Sequence, residues 1–176
     1  MSTTTALAGT FASDPVHSSF GFAVKYQNVS IFRGTLSEVT ATLVDGKLEG
    51  VAEVESISIR TPEQFRAHVL GGEFFDAENH PEVTYTSSDV ELREDGTATV
   101  AGELTIKGIT RPVTATGTWV APEPDAFGTT RGHLQLEAAI DRTEFDMNWN
   151  APLPSGGKAL ANEVTLAVEL SLVEQA

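Results

Sequence analysis

Apolar and polar residues alternate with a period of two along most of this 176-residue chain. In the clearest run, residues 163–173, every second side chain is apolar: Val164, Leu166, Val168, Leu170 and Leu172. Because successive side chains of a β-strand point to opposite faces of the sheet, this pattern predicts a half-buried strand. Comparable runs predict further strands at residues 20–26, 35–44, 48–59, 83–92, 98–106, 113–119 and 134–140.

Turn-forming residues lie between these runs and predict that consecutive strands pair in antiparallel fashion. They are Asp45-Gly46, Asp95-Gly96, Gly108 and the loop at residues 122–128. A sheet with one apolar face needs that face covered, and closure into a barrel covers it while removing the free edges. We therefore expect an all-β, antiparallel up-and-down β-barrel of about eight strands. A two-sheet sandwich is the competing architecture.

Small residues are interspersed on the predicted inner face of this sheet. They are Ala98, Gly102, Ala115, Gly117 and Ala138. A sandwich core would be filled with bulky side chains, so the small residues favour the barrel. They either leave room for a ligand or mark the corners and taper of the barrel, and the pattern leaves both interpretations open.

One short helix is expected after the fourth strand region. Thr61 is its predicted N-cap, Pro62 its first residue and Gln64 the partner that completes a capping box. Gly71 or Gly72 ends it. Residues 141–149 predict a second, weaker helical turn. Irregular parity in two strands predicts β-bulges at residues 87–89 and near Val51.

The charge and composition of the chain exclude several functional classes. Its 11 Lys and Arg residues against 25 Asp and Glu residues give a net charge of −14, which repels phosphate backbones and makes nucleic acid an unexpected partner. The absence of cysteine excludes disulfides and thiolate metal sites. No apolar run is long enough for stable membrane insertion, and residues 1–10 lack the basic start of a signal peptide. We expect a single cytoplasmic domain over residues 1–176, as a monomer or a homodimer.

Several longer motifs follow one another in a characteristic order. They are Asp14-Pro15-Val16-His17-Ser18, Arg33-Gly34, Ser58-Ile59-Arg60-Thr61, Glu73-Phe74-Phe75-Asp76, His80-Pro81, and the segment 102–113. Their order and spacing over nearly the whole chain resemble the YceI family. The resemblance implies a lipocalin-like barrel with a long apolar pocket for polyisoprenoid or other long-chain amphiphiles. Tyr26 stands where many members have a histidine, which removes one polar contact that the resemblance would imply.

The candidate ligand-binding residues are the aromatic and aliphatic side chains of the strands and helix, with three cationic or polar groups for a lipid head. They are Phe20, Phe22, Phe65, Val69, Phe74, Phe75, Leu104, Trp119, Phe145, Trp149, His17, Arg60 and Arg66. Arg142, at the end of an apolar strand, either neutralises a buried carboxylate or meets a head group, and we favour a structural role. No histidine spacing predicts a metal site, and no cofactor is expected beyond a bound isoprenoid or quinone-type lipid.

Three functional hypotheses remain open at this level. The first, which we favour, is binding, transport or sequestration of a polyisoprenoid, isoprenoid-quinone or fatty-acyl chain in the barrel lumen. The second is an enzyme that acts on such a lipid, with His17 or Glu103 as proton-transfer groups. The third is a stress or interaction protein whose barrel is solidly packed and has no cavity. Neither a nucleophile elbow nor a phosphate-binding loop is present, so we do not expect an enzyme.

Overall fold

The computed structural model describes residues 7–176 as ten strands, one α-helix and two 3-10 turns. The strands are β1 (Thr10–Ser13), β2 (Ser19–Tyr26), β3 (Ser30–Leu36), β4 (Val39–Val44), β5 (Lys47–Glu53), β6 (Glu82–Leu92), β7 (Thr97–Ile106), β8 (Ile109–Pro124), β9 (Thr130–Asp141) and β10 (Leu160–Glu174). Helix α1 spans Glu63–Leu70, and the 3-10 turns span Val54–Ser56 and Arg142–Phe145. No helix among these residues is long and apolar enough to cross a membrane.

The strands form one antiparallel sheet that closes on itself. The order is β1-β4-β5-β6-β7-β8-β9-β10, and β10 returns to pair with β1. Strand β2 pairs with the first part of β10, and β3 pairs with β2. Segments β1 and β2 are therefore two parts of one long strand, as are β3 and β4. Counted in this way the molecule is an eight-stranded up-and-down barrel, which confirms the predicted fold.

The interruption between β3 and β4 opens one end of the barrel. Strand β4 pairs with β5 along its whole length, whereas the outer edge of β3 meets the following chain at a single bridge, between Leu36 and Ile57. Beyond the bridge, the Ser58 amide donates to the Thr35 carbonyl (2.8 Å), and the Thr35 amide donates to Ser58 Oγ (3.0 Å). Helix α1 follows this segment and covers the open end.

The opposite end of the barrel is packed with side chains. Phe11, Leu43, Leu134 and Leu172 are buried there. Trp119 fills the space beside them, and its Nε1 donates to the Arg93 carbonyl at 2.7 Å. Burial of each of these large apolar side chains stabilises the fold by about 1.5–3 kcal/mol. Among the described residues, this end of the barrel is therefore closed by side chains.

The predicted turns are present, with backbone conformations that explain their sequences. Asp45 and Gly46 have φ values of 47° and 83°, and Lys107 and Gly108 have φ values of 54° and 75°. Positive φ at both central residues is the type I′ geometry that suits the twist of a two-residue hairpin. Gly96, between β6 and β7, also has a positive φ of 88°. These glycines fix the register of three hairpins.

Three local predictions are wrong. Pro62, not Thr61, is the N-cap of α1, since Pro62 is still extended (ψ 153°) and the helix begins at Glu63. No side chain caps the helix, because proline has no side-chain acceptor. The strand expected at residues 48–59 ends at Glu53. No bulge occurs near Val51, since β5 keeps an unbroken register with both neighbours. The irregular parity there arises from the 3-10 turn that follows the strand.

Other local predictions are confirmed or shifted. The register of β6 and β7 slips between Ser87 and Asp89, where a bulge is expected. The predicted second helical turn is the 3-10 turn at Arg142–Phe145. The expected short helix is α1, which follows β5.

The small residues on the inner face have two different causes. A Cβ at Gly102 would lie 2.3 Å from the Thr86 carbonyl oxygen, and one at Gly117 would lie 1.8 Å from the Gln135 carbonyl oxygen. Glycine is required at both positions because neighbouring backbone approaches so closely. Ala115 and Ala138, by contrast, line an internal cavity. Close approach of neighbouring backbone thus explains the two glycines, whereas the two alanines leave space inside the barrel.

Candidate functional site

A large apolar cavity occupies the open end of the barrel. Its volume is about 550 Å³, within the range typical of small-molecule pockets. Strands β2, β3 and β10, helix α1 and the loops at residues 72–75 and 146–149 form its walls. Among the residues that line it are Phe20, Phe22, Val24, Tyr26, Phe32, Phe65, His68, Val69, Phe74, Phe75, Ile140, Met147, Trp149, Val164 and Leu166.

The cavity opens to solvent between the β2–β3 hairpin and α1. The lining residues Tyr26, Ile31 and Phe65 are exposed, whereas Val24 and Val69, further in, are buried. A molecule that enters between hairpin and helix therefore meets progressively drier walls. We call the exposed edge of the hairpin and helix the mouth rim; it consists of Tyr26, Val29, Ile31 and Phe65.

Seven of the predicted ligand-binding residues come together around this cavity, although they lie far apart in the chain. They are Phe20, Phe22, Phe65, Val69, Phe74, Phe75 and Trp149. The ring of Phe22 packs against Phe32 and Phe75 with centroid separations of 6.1 and 6.2 Å, and Phe32 meets Phe65 edge-on at 5.5 Å. This aromatic wall presents ring faces and edges to an apolar ligand.

A second aromatic group surrounds His68 on helix α1. Its ring lies 5.0 Å from Trp149 and 5.1 Å from Phe74, both nearly perpendicular, and Trp149 lies 5.8 Å from Phe74. His68 Nε2 is also 3.5 Å from a carboxylate oxygen of Glu73. Sequence reasoning does not select His68 as a ligand-binding residue, because a lone histidine on a short helix matches no metal-site or catalytic spacing. It is the one imidazole that lines the cavity among residues 7–176.

A smaller cavity of about 90 Å³ lies deeper in the barrel. Phe20 and Leu166 line both cavities, so the two adjoin along β2 and β10. The predicted residue Leu104 lines this inner cavity, together with Ala115 and Ala138. An apolar chain that enters at the mouth therefore has space ahead of it toward the middle of the barrel.

Two predicted aromatic residues lie outside both cavities. Trp119 belongs to the packed end. Phe145, the last residue of the second 3-10 turn, is buried in the core at 1% exposure. The sequence indicates that both are buried but not at which end of the barrel each lies. A ligand-binding role for them stays a prediction without structural support.

The three predicted head-group residues also lie away from the cavity. His17 is exposed between β1 and β2, and its Nδ1 is 2.8 Å from the Asp14 carboxylate. Arg66 donates to the carbonyl groups of residues 55, 57 and 59, which ties the segment before α1 to the helix. Arg60 is exposed on that same segment. None of the three lines the cavity, so the lipid-head role of each stays a prediction.

Asp14 and Arg131 form an ion pair near the packed end. Arg131 Nη1 lies 2.7 Å from Asp14 Oδ2, and Arg131 Nε lies 3.3 Å from Asp125. The hydrogen bond with His17, followed by that with Arg131, holds the pKa of the Asp14 carboxyl well below its usual range. This network fastens the β1–β2 link to β9 and is structural.

Arg142 is the one guanidinium that lines the cavity in the described part of the chain. It is buried, and it donates to the carbonyl oxygens of Ala161 (2.8 Å), Met147 (2.6 Å) and Leu160 (3.3 Å). Burial lowers the pKa of this guanidinium. No carboxylate lies within ion-pair distance of it in residues 7–176, so of the two sequence-based alternatives the buried carboxylate is wrong. The carbonyl contacts support the structural role, because they fasten the 146–149 loop to β10.

Lys107 joins the loops that surround the cavity. Its Nζ donates to the Gly72 carbonyl and, at 2.8 Å, to the Asp146 carbonyl. The β7–β8 turn is thereby linked both to the loop after α1 and to the loop after the 3-10 turn. These contacts hold the cover of the cavity together. Within residues 7–176, no group of three or more His, Asp or Glu side chains is arranged to hold a metal ion.

Comparison with known proteins identifies the family. The model of the YceI-like domain matches residues 11–172. The chain belongs to the YceI-like family. Among curated relatives, a UPF0312 protein of Vibrio campbellii is 25% identical over 138 residues, which is 74% of this chain and 72% of the relative. Protein YceI of Escherichia coli O157:H7 is 22% identical over 165 residues, which is 90% of this chain and 83% of that protein.

Solved structures share the fold of this YceI-like chain. Burkholderia cenocepacia BcnA matches with a TM-score of 0.70 and 19% identity, over 93% of this chain and 99% of its own. A polyisoprenoid binding domain from Saccharophagus degradans matches with a TM-score of 0.65 and 12% identity, over 96% of this chain and 100% of its own. At these identities the likeness shows the fold alone. The lipocalin-like barrel that the sequence resemblance implies is thus confirmed.

Proposed function

We propose that this YceI-like protein binds the apolar chain of an amphiphilic lipid in its barrel and carries or sequesters it. The chain is of the polyisoprenoid, isoprenoid-quinone or fatty-acyl type. The observation that supports this most is the cavity of about 550 Å³ at the open end, which is lined almost entirely by apolar side chains. A solidly packed interaction protein would have no such space.

The energetics of chain burial fit this proposal. Each buried methylene group contributes about 0.8 kcal/mol, so an isoprene unit of five carbons contributes on the order of 4 kcal/mol before ordering costs. Two or three units inside the cavity give useful affinity without an ion pair to the head group. The head can stay in water at the mouth, consistent with the position of His17, Arg60 and Arg66 away from the cavity.

The family and its fold support binding rather than catalysis. The YceI-like family is one of binding proteins, and the structure from Saccharophagus degradans is described as a polyisoprenoid binding domain. The proton-transfer groups that an enzyme would need are misplaced. Glu103 is exposed on β7, and His17 lies between β1 and β2, outside both cavities.

Organic extraction and mass spectrometry of protein purified without detergent test the proposal. We expect a chain lipid in near-stoichiometric amount, and its loss in Phe74→Asp, which places a charge in the aromatic group around His68. Phe127→Asp is the matched control, because Phe127 is 94% exposed on the β8–β9 loop at the packed end. If wild type contains no lipid and also fails to bind added polyprenol, quinone and fatty acid, the proposal is wrong.

Three associated predictions accompany this function. The protein acts as one domain over residues 1–176, resides in the cytoplasm, and is a monomer or a homodimer. Cell fractionation tests the compartment, and light scattering of the purified chain tests the oligomeric state. Recovery of the protein in a periplasmic fraction would contradict the cytoplasmic location without affecting the lipid-binding proposal.

A further inference from the structure

The mouth rim exposes apolar side chains to solvent. Val29, at the tip of the β2–β3 hairpin, is 86% exposed, and Ile31 is 53% exposed. Tyr26 and Phe65 are each 40% exposed. The first three belong to one hairpin, and Phe65 packs on the same hairpin through Phe32. The rim is therefore a contiguous apolar edge around the entrance to the cavity.

The hairpin that forms most of this rim is basic, in a chain of net charge −14. Residues 19–36 include no Asp or Glu but include Lys25 and Arg33. Both are exposed on the outer face, where Lys25 pairs across the strands with Ile31. Arg60 is exposed beside the free edge of β3. In the described chain none of these three cations has a carboxylate within 4.0 Å. On the neighbouring strand β10, the carboxylate residue Glu163 precedes Val164, which pairs with Val24.

The packed end of the barrel provides a contrast. It also exposes large apolar side chains, among them Val16 at 81% and Phe127 at 94%. The cations near that end are engaged, since Lys47, Arg93 and Arg131 each form an ion pair with a carboxylate. Exposed apolar residues alone thus do not distinguish the two ends. Free positive charge beside apolar residues occurs at the mouth.

We propose that the mouth rim docks on the surface of a lipid bilayer that contains anionic lipids. Val29, Ile31 and the two aromatic residues enter the interfacial region, while the flanking cations contact headgroup phosphates. A Lys or Arg near an anionic leaflet strengthens binding by about fivefold. Lys25, Arg33 and Arg60 together therefore supply the electrostatic part of the attraction.

Carboxylates at the packed end do not oppose docking in this orientation. Strand β10 has 15 residues, so the barrel is roughly 35 Å long along its axis at the usual rise and tilt. At physiological salt the Debye length is about 8 Å, so carboxylates at the packed end are screened from the bilayer. At the mouth end, Glu63 on α1 and Glu73 and Asp146 on the cavity loops are carboxylates, so the hairpin at residues 19–36, which has none, is the part of the rim that faces an anionic bilayer.

This inference adds a partner surface to the proposed function. If the barrel carries a lipid, docking by the rim aligns the cavity entrance with the hydrocarbon region, and the chain passes between them without crossing water. Docking itself depends only on the rim and the cations. Val29, Lys25 and Arg33 do not line the cavity, so they can be changed without altering the binding walls.

Vesicle flotation at physiological ionic strength tests the proposal with the full chain. The vesicles consist of phosphatidylcholine, alone or with one third phosphatidylglycerol. We expect wild type to float with the anionic vesicles and Val29→Asp to bind at least tenfold more weakly. Lys25→Gln with Arg33→Gln should weaken binding by about 25-fold, from about fivefold for each cation. Phe127→Asp, an equally exposed change at the packed end, should bind as wild type does.

Two outcomes would overturn the proposal. One is wild type that stays unbound with both kinds of vesicle. The other is binding that falls equally in Val29→Asp and Phe127→Asp. Mass spectrometry of extracted lipid is measured on the same protein preparations before vesicles are added, so the two proposals fail separately. Vesicle binding without extractable lipid would support docking and contradict the lipid-carrier proposal. Lipid in the cavity without vesicle binding would support the lipid-carrier proposal and contradict docking.

Discussion

Gly34 on β3 controls how much of the cavity the ring of Phe22 occupies. The two residues face each other across β2 and β3. A Cβ added at Gly34 would lie 2.4 Å from Cζ of Phe22 and 2.9 Å from its Cε1. Carbon atoms pack best at about 3.5–4.0 Å, so the ring must retreat by about 1 Å in Gly34→Ala. The ring borders the cavity, and that is where it can move.

The magnitude follows from this displacement. Overpacking costs about 1–3 kcal/mol, and we expect about 1 kcal/mol of stability here, because the ring moves into open space rather than against backbone. The displaced ring and the new methyl take up roughly the space of one to two methylene groups of ligand. At about 0.8 kcal/mol per methylene, binding weakens by about 1–1.5 kcal/mol, or about 5–15-fold.

Intrinsic tryptophan fluorescence provides the assay. The protein has 2 tryptophans, of which Trp149 lines the cavity and Trp119 lies at the packed end, so a ligand-dependent change reports on Trp149. Titration with a C20 isoprenoid alcohol gives the affinity, and urea unfolding gives the stability. Gly21→Ala is the matched control on β2, because its added Cβ would make ordinary contacts at 3.6 and 3.7 Å. Equal affinities of wild type and Gly34→Ala would refute the reasoning.

Three further predictions concern stability. Gly102→Ala should lower the free energy of unfolding by about 2–3 kcal/mol, because its Cβ would lie 2.3 Å from a neighbouring backbone atom. Gly50→Ala is the control, because its Cβ would lie 3.8 Å from the nearest atom and should leave the stability unchanged. Equal urea midpoints for the two variants would contradict this prediction. The imidazole of His17 and the guanidinium of Arg131 lower the pKa of Asp14 in the folded protein. The ionised carboxylate therefore stabilises the fold above about pH 4, and this stabilisation is lost as the pH falls below that value. Below about pH 4, the melting temperature of Asp14→Asn should depend less on pH than that of the wild type. Burial raises the pKa of Tyr85 to about 12, so its contribution to the stability of the fold is complete below about pH 10 and is lost as the pH rises to about 12. Tyr85 is the sole tyrosine in Tyr26→Phe, and the tyrosinate absorbance of this folded variant should titrate near pH 12. A titration midpoint near pH 10 would exclude the burial argument.

The sequence by itself determined the class of fold and most of the apolar surface of the site. Alternation with a period of two fixed the strands and their inner faces, because a strand places every second side chain on one face. The Asp-Gly and Lys-Gly pairs fixed the hairpins through their positive φ values. Aromatic residues on the predicted inner face or beside the helix, such as Phe22 and Phe75, proved to line the cavity.

Local pattern failed where the chain departs from regular structure. The apolar alternation does not reveal strand β3, because Gly34 occupies one of its three inward positions, and Phe32 is therefore missed. His68 and Arg142 were not identified as lining residues, since neither lies in a motif of ligand-binding residues. The strand at residues 48–59 was overextended, because a 3-10 turn mimics the parity of a strand for a few residues.

Only the tertiary structure decided which end of the barrel is open. The breaks that divide β1 from β2 and β3 from β4 depend on where β10 and the 57–60 segment pair, and those partners are more than 20 residues away. Trp119 and Trp149 look alike in sequence, yet the closure of the sheet sends one to the packed end and the other to the mouth. Strand pairing joins residues that are distant in the chain, so local periodicity can assign a side chain to the inner face but not to a level within the barrel.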